Sequence, residues 1–488
     1  MYHLNLFNVK QNHIIQKVFL EITVNNKEKA LRIKDDINSF LSIDVFPEIE
    51  KHIKALEYKL AGHTLQIPRL ELNVEVKSSA LNTELKSQIA ELFKDELSEI
   101  TKPVETSHQE TESDPKSYLI DHQEKMLKAL IYFLEKGAIP WWSSENNTMS
   151  ILEPAVFDRL ISASGVQKSI ISALSKENVR NRLINQFSNE QIAQLCLTVL
   201  KNKKLTINLE TDIIRHLSKL SHVDRSTIWH LVFNVISEYL NTSNNHPREY
   251  LLQKISTIEQ IGLSTTKNNH QNRKTIVKIF PFITEHEISE NTRTNTADQP
   301  ENASHSIETI QEKNAIIQEE VNQNEGQYIQ NAGLILIHPF IKPLFEHCEL
   351  LDPKTQQLLD PELCAHLLHY IATGKTNAPE YDMIFEKFLC NIPMHQTINR
   401  HIKLSRKHKS QAKNVIESVQ HNWAPMKKSS AALLQNEFFQ RPGKLVITES
   451  DNTIIVERKT QDILLEKISW GIGLVKLPWQ KKFIFVNW

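Results

Sequence analysis

The chain has 488 residues, long enough for about two to four domains, and a formal charge of −1. Near neutrality gives no whole-molecule field favouring nucleic acid or an anionic membrane. Glycine is scarce, with 10 residues, which argues against phosphate-cradling glycine-rich loops and favours helices joined by polar turns.

The cysteines and the start of the chain bear on its compartment. Cys196, Cys348, Cys364 and Cys390 form no CxxC pair, which predicts reduced thiols. Residues 1–25 lack a secretory pattern, and no apolar stretch approaches the roughly 20 residues that span a bilayer. We therefore expect a soluble protein, made in the cytoplasm and without membrane insertion.

The first hundred residues combine strand and helix periodicity. In chain order the patterns predict a strand at 18–24, helices at 27–41 and 48–60, alternating runs at 65–76 with a bend at Pro68, and a helix at 81–100. Residues 1–100 are therefore predicted to form an α+β domain. The polar, proline-containing stretch 101–117 is predicted to be a linker.

The middle of the chain is helical in pattern. Gly137 is placed to end a helix carrying Phe133 and Leu134, and Ser188–Gln191 is a capping box that opens another helix. These patterns predict a helical domain at 118–263. A polar variable linker is predicted at 264–330, and its part 289–325 is too polar to bury a core, so it is predicted to be disordered or a transient solvated helix.

Apolar periodicity resumes at Gly333. Asp360-Pro361 predicts a helix start and Gly374 its end, with further helices near 380–390 and 408–422. After Gly443 the period returns to two, as shown by Leu445, Ile447, Ile454, Val456, Leu474, Phe483, Phe485 and Trp488. These patterns predict a helical domain at 331–443 and a small β-sheet at 444–488. The fold class predicted for the whole chain is mostly α with α+β ends.

Possible sites of chemistry are few. Thr373-Gly374-Lys375-Thr376 resembles the end of a phosphate-binding loop, but His369 stands where that loop needs glycine, so a helix end is predicted instead. His366 and His369 could offer two ligands on one helix face, whereas zinc needs three or four, and whether they bind a metal is left open. The basic stretch 401–413 has no interleaved aromatic residues and predicts a solvated face. We predict no catalytic residue, no cofactor, no metal and no nucleic-acid partner.

Aromatic residues are the remaining candidates, either as core anchors or as docking points for another subunit. Burial is the favoured interpretation of Trp141-Trp142, because tryptophan buries a large area, but tryptophan also leads interface hot spots. The candidate anchors are Trp141, Trp142, His338, Pro339, Phe340, Trp470, Trp479 and Trp488.

Several short blocks carry a family resemblance. In chain order they are HIIQKVFLEITV near the start, Arg69-x-Glu71-Leu72-Asn73, Pro140–Trp142, Arg182-Leu183-x-x-Gln186-Phe187, Gly333–Phe340, the HYIATG block at 369–374, Pro379-Glu380-Tyr381, Phe438–Gly443 and Leu477–Trp479. Together they resemble the tape measure protein family of contractile injection systems, which are phage-tail-like and type VI-like machines.

The resemblance implies a non-enzymatic assembly protein that sets the length of the inner tube and sheath. Its implied partners are the tail tube protein, baseplate, hub or spike proteins, and the tube terminator. It would be cytoplasmic, incorporated in the particle or transiently bound to it. Because 18 prolines and globular patterning oppose one continuous rod, a folded scaffold or chaperone for tube and baseplate assembly is the alternative.

Overall fold

The computed structural model describes residues 15, 18–24, 26–56, 63–75, 81, 83–100, 118–140, 142–143, 151–162, 166–201, 203–241, 246–260, 269–288 and 326–488. The predicted linker 101–117, the stretch 289–325 and Trp141 lie outside these ranges. The chain divides into two compact units, Met1–Ala129 with Trp141–Met149, and Leu130–Pro140 with Ser150–Trp488. The mostly helical fold class with a small sheet near the end is confirmed. The predicted domain boundaries stay a prediction.

The first unit packs helices around a small apolar core. Its elements are α1 (Lys27–Phe40), a π-helical turn (Leu41–Val45), α2 (Phe46–Leu56), β1 (His63–Gln66), α3 (Thr83–Ile100) and β2 (Tyr118–Asp121), and α4 (His122–Lys136) follows. Strands β1 and β2 pair antiparallel, with His63 opposite Asp121. The core contains Phe40, Val45, Ile49, Phe93 and Leu97. The three helices lie where the sequence predicts them.

The strand predicted at 18–24 is wrong. None of these residues is in a helix or a strand, and Val18, Leu20 and Ile22 are 43–49% exposed. An alternating sequence forms a strand only where a neighbouring strand completes its backbone hydrogen bonds. In the part of this unit that the structure describes, the sheet contains only β1 and β2. Of the described residues 65–75 in the predicted runs, only Leu65 and Gln66 belong to a strand, while Leu70 and Leu72 pack on the helical core.

The second unit begins with a helical layer. Its helices are α5 (Pro154–Ile161), α6 (Val166–Leu174), α7 (Glu177–Gln186), α8 (Asn189–Leu200), α9 (Thr211–Leu217), α10 (His222–Asn241), α11 (Pro247–Gln260) and α12 (Asn269–Ile279). The capping box is confirmed, because the Gln191 N–H donates to Ser188 Oγ at 3.3 Å and the Ser188 N–H donates to Gln191 Oε1 at 3.1 Å.

Helix α12 corrects one expectation. It lies in the stretch predicted as polar linker, yet Ile276, Ile279 and Phe280 are at most 6% exposed. The Asn208 N–H donates to the Ile279 carbonyl at 2.8 Å, so the end of the helix is held against the preceding layer. A few apolar side chains spaced along a polar helix are enough to pack it against a core.

The rest of the second unit combines helices with a five-stranded sheet. Its elements are β3 (Gln327–Ile329), a 3₁₀ helix (Ala332–Ile337), α13 (His338–His347), α14 (Pro361–Thr373), a 3₁₀ turn (Glu380–Met383), α15 (Ile384–Leu389), α16 (Arg406–Asn422), a 3₁₀ turn (Ala424–Met426), α17 (Ala431–Leu434), a π-helical turn (Gln435–Phe439), β4 (Gly443–Ile447), β5 (Asn452–Val456), a 3₁₀ helix (Thr460–Lys467), β6 (Leu474–Val475) and β7 (Ile484–Asn487). The start and end of α14 are confirmed, because Asp360 Oδ1 accepts from the Leu363 N–H at 3.0 Å and Gly374 has φ 70°.

The sheet has the order β3-β4-β5-β7-β6. Strands β5 and β7 are parallel and the other neighbours are antiparallel. Its inner side chains, including Leu445, Ile454 and Ile484, enter the large core shared with α13–α16. The sequence predicted the sheet from 444 onward but missed β3. No described helix is both long and apolar enough to cross a membrane.

Candidate functional site

A buried ion network joins distant parts of the second unit. It consists of Arg182 on α7, Glu380 on the 3₁₀ turn and Lys387 on α15, each at most 1% exposed. Arg182 Nε lies 3.0 Å from Glu380 Oε2, and Lys387 Nζ lies 2.7 Å from Glu380 Oε1. One carboxylate therefore bridges two cations in a region shielded from water.

Backbone carbonyls accept further hydrogen bonds from both cations. Arg182 Nη1 donates to Leu134 O at 2.6 Å and Nη2 donates to His395 O at 3.0 Å. Lys387 Nζ donates to Met394 O at 3.1 Å and to Gln396 O at 2.6 Å. Burial lowers the pKa of Lys387, while its ion pair with Glu380 opposes that shift. Charges removed from water are tolerated when they are paired and hydrogen-bonded in this way.

Neutral side chains fix the position of Glu380. The Glu380 backbone N–H donates to Gln186 Oε1 at 2.9 Å, and Gln186 Nε2 donates to Ile398 O at 2.8 Å. Thr397 Oγ1 donates to Glu380 Oε2 at 3.2 Å. The glutamine and the arginine, one turn apart on α7, thus bind the backbone and the side chain of the same residue.

Gly137 lies directly against the ion network. Its φ of 77° ends helix α4, and a Cβ built on it would lie 2.6 Å from Glu380 Oε1 and 2.9 Å from Arg182 Nη2. One turn earlier, the rings of Phe133 and Tyr381 meet edge to face with centroids 5.2 Å apart. Glycine is required here both by its left-handed conformation and by the close approach of buried charges.

The predicted histidine pair does not converge on one point. His366 Nε2 lies 2.9 Å from Asn399 O, whereas His369 Nδ1 lies 2.9 Å from Glu386 Oε1, which also accepts from Asn331 Nδ2 at 2.7 Å. Burial lowers the pKa of His366 to about 4. Among the residues that the structure describes, no group of three or more His, Cys, Asp or Glu could hold a metal ion.

The Gly333–Phe340 block packs against later parts of the chain. A Cβ on Gly333 would overlap the backbone carbonyl of Phe438. His338 Nε2 lies 2.9 Å from Gly471 O, and Pro339 is exposed. Phe340 contacts the Trp470 ring edge to face, with centroids 5.4 Å apart, and Trp470 Nε1 donates to Leu336 O at 3.0 Å.

Most of the other predicted anchors contact residues of the same chain, and one lies outside the residues that the structure describes. Trp479 is 3% exposed and donates to Leu389 O at 2.7 Å. Trp488 donates to Asp462 Oδ2 at 3.0 Å, with the Arg441 guanidinium 5.7 Å from its ring centroid. Trp142 is half-buried, and Trp141 is not described. Whether any of these residues binds another subunit stays a prediction.

Several of the segments singled out in the sequence of the second unit therefore meet in space. The segments containing Gly137, Arg182 and Glu380 build the ion network, and Gly333 abuts Phe438. A family model for the contractile injection system tape measure protein matches residues 12–488. The chain belongs to this family. Searches of curated proteins and of solved structures find no match.

Membership in the tape measure family supports a structural role in a contractile injection machine. The charges of the ion network are enclosed, paired and hydrogen-bonded within the second unit. Its chemistry is to hold segments of the chain together.

Sequence reasoning missed the roles of Gln186 and Lys387. Arg182, Gln186 and Glu380 already stood in the resemblance blocks, whereas Lys387 carried no signal apart from its place in an apolar helix. A lysine among Ile384, Phe385, Phe388 and Leu389 was the available hint that its side chain is buried and paired.

Proposed function

We propose that the protein acts in the assembly of a contractile injection system as a folded scaffold for the tube and baseplate. The observation that carries this proposal is the ion pair between Arg182 and Glu380, which joins positions 198 residues apart. Fully extended, the chain between these two residues would span roughly 650 Å, so an extended protein would lose the Arg182–Glu380 ion pair. A function carried out in the folded state keeps it.

The energetic cost of stretching supports the same proposal. Unfolding a domain typically costs about 5–15 kcal/mol, and contacts with the tube lumen would have to offset that cost. The large core of the second unit and the buried charges would all be exposed to water. The longest helix in the described ranges, His222–Asn241, has 20 residues and is only about 30 Å long.

A stretched ruler that sets tube and sheath length is the second candidate. It is favoured by the family description and by a match that covers nearly the whole chain. In both cases the proposed partners are the tail tube protein, the baseplate, hub or spike proteins, and the tube terminator. The protein would act in the cytoplasm, within the particle or transiently bound to it.

Duplication of residues 289–325 at the native locus separates these candidates. The insert adds 37 residues, which would lengthen a stretched ruler by roughly 55 Å as helix or up to roughly 130 Å when extended. We expect sheath lengths, measured by electron microscopy, to stay unchanged. A matching increase in length would refute the folded scaffold and establish the ruler.

A second experiment tests the need for the fold itself. Glu380→Gln breaks the ion network, and we expect it to reduce the number of particles per cell while the particles that do form keep their length. Glu417→Gln removes an exposed carboxylate that pairs with Lys413, and it is the matched control. If Glu380→Gln measurably destabilises the protein but cells still form the wild-type number of particles with wild-type length, the folded scaffold proposal is contradicted.

A further inference from the structure

A cleft lies beside the start of helix α14. It has a volume of about 320 Å³ and is bounded by residues 359–362 on one side and by the turn 391–396 on the other. Its apolar lining consists of Leu359, Pro361, Ile392 and Pro393. Ligand clefts in proteins measure about 300–1,000 Å³, so this one has room for a single long side chain but not for a folded element.

The polar lining of the cleft is acidic. It consists of the carboxylates of Asp360 and Glu362 and the side-chain amides of Asn391 and Gln396. Among the described residues that line the cleft, none is a lysine, an arginine or a histidine. The lining therefore has two groups that become negatively charged and none that becomes positively charged, which favours a cationic ligand.

Charged groups near the cleft do not reverse its sign. Lys387 Nζ lies 2.7 Å from Glu380 Oε1, so this ion pair neutralises the lysine. Burial lowers the pKa of His408, which interacts electrostatically with Asp360, so the imidazole is neutral at pH 7. The N-terminus of helix α14 already has a partner, because the Leu363 N–H donates to Asp360 Oδ1 at 3.0 Å.

The ion network holds one wall of the cleft in place. Lys387 Nζ donates to Gln396 O at 2.6 Å, and Arg182 Nη2 donates to His395 O at 3.0 Å. Both contacts fix the backbone of the turn 391–396 from the buried side. A site whose walls are already fixed loses little conformational entropy when a ligand binds.

The environment of Glu362 also favours a positive charge in the cleft. Its Oε2 accepts from the Asn399 N–H at 3.1 Å. Burial raises the pKa of Glu362, the hydrogen bond from Asn399 opposes that shift, and the charge of Asp360 adds to it. A cation bound near the two carboxylates would stabilise the charged form of both.

We propose that this cleft binds a lysine or arginine side chain of a partner subunit. The apolar stem of that side chain would lie against Leu359 and Pro393, and its charged end would lie between Asp360 and Glu362. Lysine and arginine combine an apolar stem with a charged end, which matches the two kinds of surface in the cleft. This inference rests on the proposed assembly function, because it takes the partner from the same machine.

A metal ion fits the cleft less well. Calcium takes about six to eight oxygen ligands, whereas the cleft offers two carboxylates and two amides beside an apolar lining. Within the part of the chain that the structure describes, no group of three or more His, Cys, Asp or Glu could hold a metal ion. An ammonium or guanidinium group needs fewer ligands and brings the apolar stem that the lining accommodates.

Binding of small cationic probes to the purified protein tests the chemistry of the site. The probes are acetyl-arginine amide and acetyl-lysine amide, and acetyl-norleucine amide is the uncharged control. We expect both cationic probes, but not the control, to shift the methyl NMR signal of Ile392 in a saturable way. The methyl signal of Ile463, which is 67% exposed and lies elsewhere, should not respond.

A matched double variant removes the charges and keeps the hydrogen bonds. In Asp360→Asn with Glu362→Gln, asparagine still caps helix α14, and glutamine can still accept from the Asn399 N–H. Binding of both cationic probes should weaken at least about tenfold, while thermal unfolding stays unchanged. An absent shift with the cationic probes, an equal shift with acetyl-norleucine amide or undiminished binding by the double variant would each overturn the proposal.

Site-specific photocrosslinking in cells that assemble particles identifies the partner. A benzophenone amino acid replaces Leu359, which is 63% exposed at the cleft, and mass spectrometry identifies the crosslinked peptide. We expect a segment of another machine component with a lysine or arginine beside the crosslinked residue, and the double variant should lose this crosslink. Capture of a segment without a basic residue, of a second copy or of the same chain would overturn the proposal, as would an absence of crosslinks. Such a failure would leave the scaffold function standing if Glu380→Gln still reduced particle yield.

Discussion

Removing the shared carboxylate of the ion network should be among the most damaging single changes in the second unit. In Glu380→Gln, the two buried cations Arg182 and Lys387 lose their counter-charge. In the wild type one carboxylate oxygen lies 3.0 Å from Arg182 Nε and the other lies 2.7 Å from Lys387 Nζ. The glutamine amide has a single oxygen, so it cannot replace both acceptors. Breaking a buried ion pair by removing one partner costs about 3–5 kcal/mol, and we expect a loss of this size.

Urea denaturation followed by tryptophan fluorescence measures this loss, because Trp229 and Trp423 are fully buried in the same unit. With a slope of about 3 kcal/mol/M, the midpoint should fall by roughly 1–2 M. Glu417→Gln is the control, since its pair with Lys413 is 56–77% exposed and contributes less than about 1 kcal/mol.

A double variant shows where the loss of stability comes from. If the uncompensated cations cause the cost, Glu380→Gln with Lys387→Met should be more stable than the sum of the two single effects predicts. Equal midpoint shifts for Glu380→Gln and Glu417→Gln would refute the reasoning outright.

Two further changes test other parts of the second unit. Gly333→Ala should destabilise by more than about 2 kcal/mol, because its Cβ would overlap the backbone carbonyl of Phe438. Gly471→Ala meets no atom within 4 Å, so its thermal midpoint should stay near that of the wild type, and equal midpoints for the two variants would contradict the argument. His366, whose pKa is lowered from 6.5 to about 4 by burial, contributes stability above pH 6.5 that is lost as pH falls to 4. His366→Gln can keep a hydrogen bond to Asn399 O. The variant should therefore lose less stability than the wild type when the pH falls from 6.5 to 4, by at most about 3 kcal/mol. If the urea midpoints of the variant and the wild type depend on pH in the same way, His366 does not have this role.

Local signals in the sequence predicted local structure well. The capping box at Ser188–Gln191 and the proline and glycine that bound helix α14 act within a few residues, and each is present as predicted. The paired positions of the ion network lie up to 198 residues apart, so their contact depends on the complete fold. Periodicity alone could not have paired Arg182 with Glu380.

The errors have related causes. Residues 18–24 alternate as a strand does, but alternation does not supply a neighbouring strand, and none of them joins a sheet. Helix α12 was hidden by polar composition, although Ile276 and Ile279 were enough to pack it. Strand β3, with three residues, is too short to show a period, and its place beside β4 is fixed by tertiary packing.

The order of strands in the sheet determines when the second unit can finish folding. Strand β7 is the last of the sheet to be synthesised, yet it lies in the interior, between β5 and β6. A nascent chain that ends before Ile484 lacks the strand that joins the two, so the inner face around Ile454 stays open. Prematurely terminated chains therefore cannot complete the sheet, and they would be left exposed to proteolysis. The second unit therefore gains its complete sheet only after the chain has been translated through β7.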